Sequence, residues 1–86
     1  MSKFDKLLLK ILSGTSDNNI EFSELLALLR KFEFSIIIKG SHHIIYKENI
    51  EEIINLQPQN NKAKAYQVKQ VRSILLKYKL IEKNEN

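Results

Sequence analysis

Two isoleucine-rich runs, Phe34–Lys39 and His42–Lys47, are split only by Gly40-Ser41, and no other feature restricts the fold of this chain as much. β-Branched side chains suit a pleated, half-buried surface, and a two-residue link between two such runs forces a tight antiparallel hairpin. Gly-X in that link predicts a type II′ turn, because Gly40 tolerates the positive φ required at the first central position. A third run, Ile50–Gln57, follows Glu48-Asn49, so the spacing predicts a three-stranded antiparallel meander. Pro58 with Asn60-Asn61 closes it, and Lys62–Ala65 reads as a loop.

Helical patterns flank the meander. Phe4, Leu8, Ile11 and Leu12, with Leu7 beside them, predict a helix over about 3–12 that stops at Ser13-Gly14, followed by a polar connector from Thr15 to Asn19. Phe22, Leu25, Leu26, Leu29 and Phe32 form the clearest amphipathic stripe, with Ser23 as the expected N-cap. From about Tyr66 to Lys79 a last helix carries Val68, Val71, Leu75 and Tyr78 on one face, while Lys69, Arg72 and Lys79 point away. The expected class is α+β in the order α-α-β-β-β-α, with helices on one face of the sheet and an extra N-terminal helix. The 86 residues make one domain: helix and connector over 1–21, core over 22–80 and a frayed tail over 81–86.

A chain of this length buries only roughly 60–65% of its unfolded surface, which argues against a large substrate cavity. Its 43% hydrophobic and 28% charged residues are those of a globular domain rather than a disordered one. With no cysteine, disulfide frameworks and thiolate metal sites are excluded. The longest apolar runs, such as Leu7-Leu8-Leu9 and Ile36-Ile37-Ile38, each meet a lysine within a few residues, so neither a membrane span nor a signal-peptide core is expected, and the reading is a soluble cytoplasmic protein. The net charge of +4 is unevenly placed: between Ile53 and Ile81 there is no Asp or Glu, whereas Lys62, Lys64, Lys69, Arg72, Lys77 and Lys79 all fall there. Such a stretch is either a polyanion-facing side or a solvated helix face.

His42 and His43 are the only histidines, and imidazole is the side chain that ordinarily titrates near neutral pH. Neighbours on a strand point to opposite faces, so the pair does not chelate one ion, and no HExxH or DxDxDG pattern supplies other ligands. A Ser-His-acid triad is disfavoured because Ser41 and His42 diverge at the turn. Metal-free RNA cleavage asks for less, since RNA carries its own nucleophile in the 2′-hydroxyl. The protein must take that proton, stabilise the phosphorane charge and protonate the leaving oxygen. His42 is the candidate base or acid, with lysines of the 62–69 segment as the positive field; the competing reading is a turn histidine without a catalytic role.

The succession Phe22-Ser23-Glu24-Leu25-Leu26 to Leu29 and Phe34, then Lys39-Gly40-Ser41-His42-His43, then Val68-Lys69-Gln70-Val71-Arg72-Ser73-Ile74-Leu75 resembles the HicA family of bacterial toxins. The likeness runs from about Phe22 to Leu80, and Gly-Ser-His after a strand is its most specific element. It implies a double-stranded-RNA-binding-domain-like fold and an mRNA interferase activity that needs no metal or other cofactor. It also implies a HicB-like antitoxin as protein partner, with the chain a monomer or weak dimer. His42 maps onto the catalytic histidine of the family. Gly40, Ser41 and His43 would support and orient it, and Lys39, Lys62, Lys64, Lys69 and Arg72 would bind RNA. The chain departs from the family pattern at Glu33, where glycine commonly ends the helix. It departs again at Gln57–Lys62, which lacks a second proton-transfer histidine, and in its leading helix, which would serve dimerisation, antitoxin contact or core coverage. The runner-up reading is a non-catalytic RNA-binding module using the same basic helix and loop. A third is an adaptor whose basic helix meets an acidic partner.

Overall fold

The computed structural model describes residues 2–83. Helix α1 (Lys3–Ser13) starts at a reciprocal cap, in which Ser2 Oγ accepts from the Asp5 amide and Asp5 Oδ2 accepts from the Ser2 amide. It ends at Gly14, whose left-handed φ of 72° lets its N–H return to the Ile11 carbonyl. Helix α2 (Phe22–Lys31) is followed by the strands β1 (Ser35–Lys39), β2 (His42–Tyr46) and β3 (Ile54–Leu56), then by α3 (Ala65–Lys77) and the short α4 (Leu80–Lys83). The sheet is antiparallel in the order β1-β2-β3. The alternation of β2 sets Ile45 towards the helices beside Ile36 and Ile54, and that layer meets Leu25, Leu29, Val68, Val71 and Leu75 in one apolar core. Each fully buried Leu or Ile there contributes about 1.5–3 kcal/mol.

The α+β class and the first six elements, α-α-β-β-β-α, agree with the expectation, but a short α4 follows them and the structure corrects the expectation at several joints. Ser23 is not the N-cap of α2: Glu21 holds that position without a side-chain cap bond, and the Phe22 amide donates instead to the Asn61 carbonyl at 3.0 Å. That carbonyl belongs to a turn in which Gln59 and Lys62 exchange backbone bonds at 2.9 Å around Asn60 and Asn61, both at positive φ as a type I′ turn demands. Glu33 also departs from expectation, because it adopts the left-handed conformation itself, at φ 68°. Its N–H bonds Arg30 and the Phe34 N–H bonds Leu29, a complete Schellman ending without glycine.

The third strand begins at Ile54 rather than Ile50. The Ile50 amide closes a turn onto Lys47, and the following acidic pair leaves the sheet for α3. There the Glu51 amide donates to Tyr78 Oη, and Glu52 accepts from Lys77 Nζ at 2.8 Å and from Tyr78 Oη at 2.6 Å. Helix α3 ends at Lys77 rather than Lys79, and Lys79 at φ 53° turns the chain into α4. Leu80 is buried and Ile81 packs against the core, so the expected frayed tail does not begin at 81; residues 84–86 lie outside the described residues.

The leading helix covers the core. Ile11 is fully buried, Phe4 packs on Phe32 with ring centroids 5.7 Å apart, and Arg72 of α3 reaches across to the helix end. Its Nη1 donates to the Ile11 carbonyl and to Asp17 Oδ1, both at 2.9 Å, and its Nη2 donates to Asp17 Oδ2. One guanidinium therefore locks α1, the connector and α3 together. No helix among the described residues is long and apolar enough to cross a membrane.

Candidate active site

The β1–β2 hairpin has the predicted turn. Lys39 pairs with His42, Gly40 has φ 62° and Ser41 keeps a negative φ, which distinguishes type II′ from type I′. A Cβ at Gly40 would meet nothing within 4 Å, so glycine is favoured there for its backbone freedom rather than for space.

Beyond this turn the two histidines part. His42 is exposed on the face of the sheet away from the helices, and its Nδ1 lies 3.3 Å from Asn55 Oδ1 of β3. In the tautomer in which Nδ1 donates to that amide oxygen, Nε2 presents its lone pair to solvent, as a base acting on an incoming hydroxyl requires. His43 faces the helices, half-buried and edge-on to Phe22 at 4.9 Å, with Nδ1 donating to the Ser41 carbonyl at 3.2 Å. It borders a groove of about 450 Å³ with Glu21, Ser23, Pro58 and Asn61. His43 and His42 thus address different surfaces.

Ser41 does not orient His42. Its hydroxyl accepts from Gln57 Nε2 at 3.2 Å, and its carbonyl holds His43. Gln57 is tied in turn to α3, because its carbonyl accepts from Nε2 of the fully buried Gln67, whose Oε1 caps the Lys64 amide at 3.0 Å. The relay Ser41–Gln57–Gln67 fastens the hairpin tip to the start of α3. Asn55 and Gln57, the residues that position the tip and its histidine, are not marked by any local sequence pattern, since only the strand register and the Gln57–Ser41 hydrogen bond reveal that they lie beside it.

The expected RNA-binding cations are not gathered in one place. Lys39 stands opposite His42 in the register and is exposed. Lys62 and Lys64 line a groove of about 470 Å³ at the start of α3 with Asn18, Asn60 and Tyr66, but Lys62 Nζ is also held by Asn19 Oδ1 at 2.7 Å and Glu21 Oε1 at 3.0 Å. Lys69 is exposed on α3, near enough for its charge to act on Asp17. Arg72 is committed to the fold: its hydrogen bonds hold the Asp17 carboxyl below the usual range, and Asp17 raises the guanidinium in return. Among the described residues, no three His, Cys, Asp or Glu side chains are grouped to hold a metal ion.

Comparison of the chain with protein-family models, with curated proteins and with solved structures returns no match.

Proposed function

We propose that this chain is a metal-independent endoribonuclease of the HicA type, the toxin of a type II toxin-antitoxin pair acting on mRNA in the cytoplasm. The observation that carries the reading is the exposed His42 at a Gly-Ser turn, backed by Asn55 and flanked by Lys39. The α2-β1-β2-β3-α3 succession over one sheet face supports a double-stranded-RNA-binding-domain-like fold for the same region.

In the proposed reaction His42 Nε2 takes the proton of a ribose 2′-hydroxyl. The 2′-oxygen bonds phosphorus, the bond to the 5′-oxygen breaks, and that oxygen leaves taking a proton from solvent water. The products are a 2′,3′-cyclic phosphate and a 5′-hydroxyl. Lys39 supplies charge stabilisation beside the reacting phosphate, and Lys62, Lys64 and Lys69 contact the backbone farther along. Inhibition follows if a HicB-like antitoxin covers the His42 surface.

The test is incubation of the purified protein, free of any antitoxin, with labelled RNA in a chelator beside a folded His42→Ala variant. Cyclic-phosphate ends are expected from the parent, with a rate loss of about 10²–10⁴-fold in the variant. Equal cleavage by both proteins, or cleavage abolished by chelator, sinks the proposal. The groove lined by Lys62, Lys64 and Tyr66 favours a second reading, RNA binding without cleavage. Intact RNA in both reactions, with tight binding by both proteins, would select it.

A further inference from the structure

The two edges of the sheet are unlike. β3 is three residues long and runs into Pro58, both devices that blunt an edge against further pairing. β1 has neither: it is a five-residue strand with three consecutive isoleucines and no proline or glycine, bonded without a bulge to β2 on one side only. Ser35, Ile37, Ile38 and Lys39 are exposed along it, Ile37 to 44% and Ile38 to 57%. An apolar, unpaired edge of this kind is a template for another strand.

We propose that the outer edge of β1 pairs with the same edge of a second copy of this chain, antiparallel about Ile37, joining two three-stranded sheets into one. In the two-residue hairpin Lys39 and His42 are a hydrogen-bonded pair, so Ser35, Ile37 and Lys39 aim their backbone groups at β2 while Ile36 and Ile38 aim theirs outwards. A two-fold axis through Ile37 sets Ile36 opposite Ile38 of the second copy, where the pair exchanges both N–H···O bonds, and vice versa. That centre pairs the whole strand, whereas any other leaves an end unmatched. It also keeps like charges apart: Lys39 faces Ser35 of the second copy and lies diagonally from its exposed Glu33. Both copies of His42 then lie on one face of the continuous sheet. The pairing does not depend on RNA cleavage.

The axis provides the test. Ile37 meets its own copy as a non-hydrogen-bonded pair with Cα atoms about 4.5 Å apart, within disulfide range, and the chain has no cysteine of its own. Under mild oxidation Ile37→Cys should form the covalent dimer at least about tenfold faster than Leu9→Cys, a comparably exposed control on α1 at 52%. Sedimentation equilibrium of the parent should show the mass rising from 10.1 kDa towards twice that value as concentration approaches about 1 mM. Ile38→Pro removes an outward N–H and spares the β1–β2 bonds, so it should hold the protein at the monomer mass with its melting temperature little changed. If Ile38→Pro fails to fold, the two cysteine variants decide alone. The proposal is overturned if the parent stays at 10.1 kDa throughout, or if Ile37→Cys cross-links no faster than Leu9→Cys.

Discussion

The region around Arg72 and the region around His42 use polar side chains in opposite ways. Arg72 is enclosed, with its guanidinium divided between Asp17 and the Ile11 carbonyl and a side chain only 19% exposed. His42 stands in solvent with one side-chain partner, on a turn fastened from behind by Gln57. The first arrangement makes a charge part of the scaffold; the second leaves an imidazole accessible while holding its backbone. Counting basic residues along α3 does not separate a scaffold charge from one available to a ligand, but their hydrogen-bond partners do.

Removing each kind of group should break different properties. Arg72→Ala strands the buried Asp17 carboxylate and frees the end of α1, so it should lower stability by about 2–3 kcal/mol in denaturant titrations. Under the proposed function, the salt dependence of RNA affinity should be nearly unchanged in that variant. Lys39→Ala should do the reverse, leaving the unfolding midpoint in place while reducing the logarithmic salt slope by about 1. A steep loss of slope in folded Arg72→Ala would erase the distinction between the two regions.

Acid should loosen the scaffold through carboxylates far from His42. The Lys77 and Tyr78 hydrogen bonds pull Glu52 down from 4.5 to about 2, and Arg72 lowers Asp17 from 3.8. Both carboxyls bind protons less readily in the folded chain than in the unfolded one. Their stabilisation is therefore complete above about 4.5 and is lost as pH falls towards 2. Thermal melts over this range should fall steadily for the parent, and Glu52→Gln should flatten the decline between 4.5 and about 2. An unaltered profile in Glu52→Gln would remove the tie between the 47–53 loop and α3 from the account.

Local pattern disclosed the elements of this fold but not the contacts that join them. The stripe of α2 and the hairpin at Gly40-Ser41 are legible because periods and turn chemistry act over a few residues. The start of β3 is not: Ile50 and Ile53 read as strand, but Glu51 and Glu52 are drawn to Tyr78 and Lys77, more than twenty positions away. Arg72 reads as a surface cation because its partner Asp17 lies 55 positions earlier. Within the candidate site Gly40, Ser41 and His42 stand out in sequence, whereas Asn55 becomes their neighbour only when Ile44 pairs with it.

The last comparison concerns two residues at positive φ that bracket β1. Gly40 at φ 62° and Glu33 at φ 68° share a positive φ, but Glu33 sits in the left-handed helical region of a Schellman ending, whereas the first central position of a type II′ turn lies in a region that strongly favours glycine. A side chain in the Glu33 conformation costs about 1 kcal/mol, and the Schellman bonds from Glu33 and Phe34 hold the geometry regardless. Glu33→Gly should therefore raise stability by about 1 kcal/mol, reduced somewhat by the greater freedom of glycine in the unfolded chain. Gly40→Ala should lower it by about 1–3 kcal/mol, since the space around Gly40 is open and only backbone strain opposes the methyl group. Denaturant midpoints of the two variants should therefore move in opposite directions. A shift of the same sign would mean that the side chain of Glu33, rather than its backbone, governs how α2 hands over to β1.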